Sequence, residues 1–280
     1  MTFVPDARPL IEAAFEGKYA LPAFNFCSLE MAKGCVQAAE KLGRPIILQT
    51  YPADVEQASP HVFAQTVRAL ADEVSVGVAL HLDHGRDFAQ AVACLRAGYA
   101  SVMFDGQDLP FAGTLDMTRR LAEIAHAAGA SLEVSAEGFG VPGATDNVLN
   151  TTDPARAAEL RGAGADMVAC AVGSEHGSDS RLDLDLLSQI AARVRGPLVL
   201  HGGSGIHPDD LRAALGVGVV KVNVGSALYR AVLASWKEAA EGSSHRAGYA
   251  RVRAAVEGVA ETYIRRLGTV GEGEAPAGKA

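Results

Sequence analysis

Val78-Ala79-Leu80-His81-Leu82-Asp83-His84-Gly85 starts as an apolar run of strand character and ends in three ionisable side chains within four residues. A strand confined to a core has no use for His-x-Asp-His. A strand whose C-terminal end opens into a pocket does. Strand side chains alternate between faces, so His81 and Asp83 point one way and Leu82 and His84 the other. Past the turn at Gly85 that alternation need not hold, and His84 can swing in beside Asp83. The octet reads either as a metal ligand (His84) next to an acid/base carboxylate (Asp83) or as a strand end with solvated polar residues.

The same pattern, an apolar strand with a polar C-terminal residue and then a helix, recurs on both sides of the octet. Upstream, residues 6–17 carry amphipathic helical spacing, 19–25 form a strand ending in Asn25, and helical spacing runs on to Leu42 and stops at Gly43. A strand over 44–50 and a helix over 58–73 complete the approach. Downstream, strands are expected at 101–104, 131–135, 166–172, 197–201 and 219–223. Helices are expected at 88–97, 114–128, from Pro154 to near Gly162–Gly164, 183–194, 208–215, after Gly225-Ser226 to about Ala240, and from about Tyr249 to Leu267. Asp153-Pro154 supplies an N-cap and a proline at the first helical position. The glycine-rich stretch from Gly138 to Thr151 is longer than an ordinary connection and reads as a lid or binding loop.

Eight short strands alternating with helices argue for a (β/α)8 TIM barrel with an additional N-terminal helix and a C-terminal helical extension. The rival is a doubly wound open sheet. The barrel is preferred because nearly every strand ends in a polar residue: Asn25, Gln49, Asp83 with His84, Asp105, Glu133, His176, His201 and Asn223. In a barrel these ends converge on one mouth, where sites of this fold are built. Residues 1–267 read as one domain, and 268–280, rich in Gly, Ala and Glu, as a disordered tail.

Bulk properties narrow the function. A chain of 280 residues, 49% hydrophobic, is long enough for one large core. A net charge of −8 argues against a nucleic-acid surface, which needs a basic stripe. No run approaches a membrane span, and the N-terminus lacks a basic segment followed by an apolar one, so no membrane and no signal peptide are expected. Cys27, Cys35, Cys94 and Cys170 show no metal or redox spacing and read as buried thiols of a cytoplasmic protein. His61, His126, His207 and His245 fall in or beside helices and are expected to face solvent.

His84, His176 and His201 stand at or just past the ends of three different strands, each close to a glycine. Any one alone reads as a hydrogen-bonded polar residue. Three imidazoles on one barrel face, with a fourth position open, make a catalytic zinc site. The loops Gly202-Gly203-Ser204-Gly205 and Asn223-Val224-Gly225-Ser226 each present glycine amides and a hydroxyl before a helix N-terminus. Unpaired N–H groups and the helix dipole favour an anion there, and the last two loops of a barrel commonly bind phosphate. Zinc beside a carboxylate and a phosphate cradle suggests carbanion chemistry on a phosphorylated ketone. The ketone carbonyl would be polarised, and a carboxylate would take the proton from the hydroxyl on the carbon that becomes the aldehyde.

With these residues in view, the chain resembles the class II, metal-dependent ketose-bisphosphate aldolases, the fructose- and tagatose-bisphosphate group. The segments that carry the resemblance are Pro22–Asn25, Ala79–Gly85, Phe104-Asp105-Gly106, Ala171–Gly177, Pro197–Gly205 and Lys221–Ser226. The resemblance implies that His84, His176 and His201 bind the catalytic zinc and that Asp83 is the acid/base. It implies that Asn25, Gly177, Gly202, Ser204, Asn223, Gly225 and Ser226 hold the phosphorylated ketone half. It points to a second metal position at His81, Asp105 and Glu133, to a monovalent cation, and to a homodimer or homotetramer in which Arg246 (with Arg251 as fallback) reaches a neighbour's distal phosphate. The implied reaction belongs to carbohydrate metabolism and glycolysis: reversible cleavage of fructose- or tagatose-1,6-bisphosphate to dihydroxyacetone phosphate and glyceraldehyde 3-phosphate.

The chain departs from the family pattern in its loops. After strand five the family reads Glu-x-Glu-Leu-Gly, whereas Glu133-Val134-Ser135-Ala136-Glu137-Gly138 stands here. The family's Gly-Gly-x-Glu-Asp segment is represented by Gly143-Ala144-Thr145-Asp146-Asn147, so Asp146 or Glu137 takes the place of the loop acid. After His176-Gly177 the family's Tyr and Lys are absent, and Ser178-Asp179-Ser180-Arg181 follows. These changes keep alternatives open: a sulfo- or deoxy-ketose phosphate as substrate, or a non-catalytic metabolite-binding barrel. Lys221 shares a face with Asn223 and is the residue a Schiff-base mechanism would use.

Overall fold

The computed structural model describes residues 2–135, 151–174, 179–239 and 244–268. The expectations for Glu137, Asp146, the glycine-rich loop, His176, Gly177 and the tail from 269 lie outside the described residues.

The chain begins with β1 (Phe3–Val4), α1 (Arg8–Gly17), β2 (Leu21–Asn25), α2 (Leu29–Leu42) and β3 (Ile46–Thr50). Next come α3 (Pro52–Ala58), α4 (Pro60–Ala71), β4 (Val78–Gly85), α5 (Phe88–Ala97), β5 (Ser101–Asp105), α6 (Phe111–Ala127) and β6 (Ser131–Ser135). The remainder is α7 (Pro154–Gly162), β7 (Met167–Ala169), α8 (Leu184–Val194), β8 (Leu198–Leu200), α9 (Pro208–Gly216), β9 (Val219–Val224), α10 (Ser226–Ala239) and α11 (His245–Arg266). Every pairing is parallel. β2 to β9 run in sequence around the sheet, and β9 returns to pair with β2, closing an eight-stranded barrel. β1 lies outside the ring and pairs with the first residues of β4, Phe3 against Val78.

Helix signals in the sequence act as capping rules require. Ser28 accepts from the Met31 amide, Asp87 from Gln90, and Asp153 from Ala155 and Arg156 ahead of Pro154. Gly43 ends α2 at φ 62°. The helix expected over 58–73 forms as α4, and a helix that was not expected, α3, precedes it. Ser59 takes φ 68° and Pro60 opens α4, so α3 stands as a separate seven-residue helix directly above the end of β3.

Two apolar layers hold the barrel. The larger lies between the strands and their helices. The smaller fills the N-terminal half of the interior, where α1 lays Ala7, Ile11 and Ala14 against Leu21, Ala23, Ile47 and Ala79. α11 packs on α2 so closely that a Cβ on Gly34 would lie 2.7 Å from the Arg253 carbonyl oxygen. Two surface expectations are corrected. Cys27 is exposed rather than buried, because it sits past the end of β2, with its Sγ 3.7 Å from Met31 Sδ. His126 is half-buried rather than solvated, because Asp166 Oδ2 holds its Nε2 at 2.8 Å.

Candidate active site

The strand ends meet in one hydrogen-bonded network. Ile47 and Gln49, Ala79 and His81, Val199 and His201 are each two residues apart, so the interior passes from apolar to polar in one step along each strand. β4 breaks this alternation. Leu82 pairs with Val102 and Gly85 with Phe104, leaving one extra residue on β4, and His84 takes φ 53°. Such a bulge re-aims a side chain. It turns His84 onto the same side as Asp83.

His84 Nε2 lies 2.9 Å from His201 Nδ1, and Asp83 Oδ1 stands 3.9 and 4.0 Å from those two nitrogens. The far nitrogen of each ring is held by a carboxylate: His84 Nδ1 by Asp105 Oδ2 at 2.8 Å, and His201 Nε2 by Glu133 Oε1 at 3.0 Å. Asp83 Oδ1 accepts from Asn223 Nδ2 at 2.9 Å, while Oδ2 accepts from Asn25 Nδ2 at 2.9 Å and Gln49 Nε2 at 3.1 Å. Lys221 Nζ closes the network below, donating to Glu133 Oε2 at 2.9 Å and Asn223 Oδ1 at 2.7 Å.

The electrostatics follow from these contacts. Burial alone would raise the Asp83 pKa, but His84, His201, Lys221 and the Asn25 hydrogen bond hold it below the ordinary carboxylate value. Burial alone would lower His84, and the carboxylates of Asp83 and Asp105 lift it above the ordinary histidine value. Burial pushes His81 well below that value, with Lys221 acting in the same direction.

The donor set fits a metal ion. Among the described residues, Asp83, His84 and His201 offer ligand atoms within 4.8 Å of one another. Two nitrogens on one tetrahedral zinc, each about 2.0–2.1 Å from it, sit about 3.3 Å apart, close to the His84–His201 spacing. A carboxylate behind each imidazole is the usual support for a metal-bound histidine. Of the second metal position expected at His81, Asp105 and Glu133, His81 Nε2 stands 3.6 Å from Glu133 Oε2, and each of the three has further partners. Asp105 is taken up by His84 and Glu133 by His201 and Lys221, and His81 Nδ1 bonds Ser101 Oγ at 2.8 Å. Lys221, fully buried and donating to two acceptors, is not among the cavity-lining residues and offers a Schiff-base mechanism no free amine.

A cavity of about 340 Å³ opens over the network. Asn25, Asp83, His84, Gly202, Ser204, Asn223, Gly225 and Ser226 line it, so the described residues of the expected phosphate loops do share one pocket with the expected acid/base. Ser204 Oγ accepts from the Ala227 amide at 3.1 Å and joins the two loops. A Cβ on Gly225 would lie 2.9 Å from Asn25 Oδ1, so only glycine lets the loop approach Asn25 this closely. Tyr51, Asp54, Gln107 and Tyr229 also line the cavity, and the sequence reading missed them. Tyr51 caps α3 and Asp54 stands in its first turn, in a stretch to which the sequence reading assigned no element. Arg246 lies exposed in the first turn of α11.

The chain has known relatives. The family model described as class-II fructose-bisphosphate aldolase matches residues 6–272. The chain belongs to the class II fructose-bisphosphate aldolase family. It is similar to a fructose-bisphosphate aldolase of Streptococcus pyogenes serotype M6, 34% identical over 232 residues, covering 79% of this chain and 78% of the relative. A Mycoplasma pneumoniae fructose-bisphosphate aldolase is 32% identical over 258 residues, covering 87% and 88%. Among solved structures, the YdjI aldolase from Escherichia coli K12 matches with a TM-score of 0.85 at 28% identity, covering 97% of this chain and all of that one. The Campylobacter jejuni fructose-bisphosphate aldolase shares the fold, with a TM-score of 0.80 at 19% identity. As a class II aldolase the chain is a carbon–carbon lyase of a metal-using family. Among the described residues no helix is long and apolar enough to cross a membrane.

Proposed function

We propose that this aldolase reversibly cleaves a ketose 1,6-bisphosphate, of fructose or tagatose, to dihydroxyacetone phosphate and glyceraldehyde 3-phosphate. His84 and His201, with His176, hold the zinc, and Asp83 is the acid/base. The observation that carries this reading is the pair of facing imidazole nitrogens, each ring backed by a carboxylate, with Asp83 beside them. When bound, zinc supplies Lewis-acid polarisation of the ketone carbonyl. Asp83 takes the proton from the hydroxyl on the carbon that becomes the aldehyde. Three amide donors, two on Oδ2 and one on Oδ1, keep it a carboxylate and leave Oδ1 room to accept a proton, which suits a base. The Gly202–Ser204 and Gly225–Ser226 loops hold the phosphate of the ketone half at the start of α10. The reading also carries a cytoplasmic homodimer or homotetramer, with Arg246 serving a neighbour's site and a monovalent cation assisting.

A panel of ketose phosphates, assayed for triose release, tests the proposal. Turnover of fructose or tagatose bisphosphate should be abolished by chelator and restored by zinc, and activity indifferent to chelator would sink it. A second reading, a different ketose phosphate, is favoured by the cavity walls after β3 and β5, where Tyr51, Asp54, Asp105 and Gln107 offer hydrogen bonds to hydroxyls. Full activity with fructose bisphosphate alone would remove it.

A further inference from the structure

Lys221 is the one cation at the junction of the two arms of the described network, and neither arm's chemistry accounts for it. Its side chain is fully buried, as is that of Glu133. A buried ion pair gains little for the barrel: desolvation offsets most of the attraction, and an apolar side chain of similar length would fill the space without that cost. What an ammonium does and an apolar chain cannot is donate, and only donate, to two acceptors at once.

We propose that Lys221 is a positioning residue that sets the direction of the hydrogen bonds reaching both His201 and Asp83. On the first branch, Lys221 Nζ anchors Glu133 Oε2 at 2.9 Å, and Glu133 Oε1 meets His201 Nε2 at 3.0 Å. A carboxylate only accepts, so Nε2 carries the ring proton. The lone pair is left on Nδ1, the nitrogen that faces His84. On the second branch, Lys221 Nζ meets Asn223 Oδ1 at 2.7 Å, which turns Asn223 Nδ2 onto Asp83 Oδ1 at 2.9 Å. With Asn223 flipped, an NH2 would face the ammonium and an oxygen would face the carboxylate. Lys221 and Asn223 are two apart on β9, on one face, so the strand itself supplies the geometry. One side chain thereby fixes the tautomer of a metal-facing imidazole and the amide orientation that holds the base. The proposal rests on the aldolase reading above.

The test compares the wild type with Lys221→Met and Lys221→Met/Glu133→Gln. Zinc affinity is measured by chelator competition on metal-stripped protein, and kcat and KM are measured at saturating zinc with the best substrate of the panel. Lys221→Met should bind zinc roughly 10- to 100-fold more weakly. At saturating zinc its kcat should fall about 100-fold, with KM changed far less. The double variant carries no uncompensated buried carboxylate, so it should fold even where the single does not. It should regain most of the zinc affinity while kcat stays low, because Asn223 remains unlocked. Wild-type kcat at saturating zinc in either variant, or unchanged zinc affinity in a folded Lys221→Met, overturns the proposal. So does a fall in melting temperature alone. Nitrogen-15 spectra of histidine-labelled, metal-free wild type should show His201 protonated at Nε2, and protonation at Nδ1 overturns the first branch whether or not the variants fold. Failure of the wild type to bind zinc or cleave any ketose phosphate would instead break the aldolase reading.

Discussion

The barrel's two ends are built from the same strands, two residues apart. At the N-terminal end Ala23, Ile47, Ala79 and Val199 form an apolar layer that α1 closes with Ala7, Ile11 and Ala14. One step further along the same faces stand Asn25, Gln49, His81 and His201; hydrogen bonds join Asn25, Gln49 and His201 to Asp83, Glu133, Lys221 and Asn223, and His81 Nε2 lies 3.6 Å from Glu133 Oε2. The first layer contributes stability through burial. The second holds two carboxylates, an ammonium and imidazoles in nearly the same dryness, where each is tolerable only because it is paired. One layer should therefore answer to volume and the other to hydrogen-bond direction and charge.

The largest effect is expected where that distinction is sharpest. Asp83→Ala should lower kcat by about 10²- to 10⁴-fold while zinc stays bound, since the base is lost and the imidazole pair is not. Near-normal turnover in this variant would show that the proton goes elsewhere. At the opposite end, Ile11 is 2% exposed, and Ile11→Ala should cost about 2–5 kcal/mol of unfolding free energy in a denaturant titration. Its kcat and KM per folded molecule should match wild type. A change in kcat there would mean that the two layers are mechanically coupled, and the division drawn above would fail.

The division was legible in the sequence because strand periodicity is simple. Apolar runs ending in Asn25, Asp83, His201 and Asn223 are visible by inspection, and parallel strands separated by helices leave few closed arrangements. What was not legible arises from single backbone choices and long-range contacts. The sequence allowed His84 to leave its alternation after Gly85, but the break is at His84 itself, at φ 53°, and periodicity cannot say which residue of a bulge adopts that conformation. Glu133 was read as part of a second metal position. Its partners His201 and Lys221 lie 68 and 88 residues away in the chain, so its place behind His201 is a property of the closed barrel. Tyr51 and Asp54 were missed because the helix they open, Pro52–Ala58, is only seven residues long, too short for its spacing to register, and it hangs over the mouth. β1, with two residues, is too short for any period to register.

The smallest effect concerns a charge beside the apolar closure. Asp6, just ahead of α1, accepts from the Arg8 amide at 3.0 Å and from its guanidinium at 2.7 and 3.0 Å. Burial acts to raise the Asp6 pKa, but the Arg8 hydrogen bonds and charge outweigh it and hold Asp6 below the ordinary value. A carboxyl with a folded pKa below its unfolded value adds stability that is present above the unfolded pKa, about 3.9, and is lost as pH falls through the folded value. The pair is partly exposed, so its contribution is about 0.2–1 kcal/mol. Asp6→Asn should lower the melting temperature by about 2 °C at pH 7. Once the pH has fallen below the folded-state pKa of Asp6, the variant and the wild type should converge, because the wild-type carboxyl is then protonated too. A difference that persists in acid would assign Asp6 a packing role instead of a charge role. Turnover should be the same in both at pH 7, since the apolar layer closed by α1 separates Asp6 from the polar network. Unequal turnover would show that charge at this end is felt at the mouth.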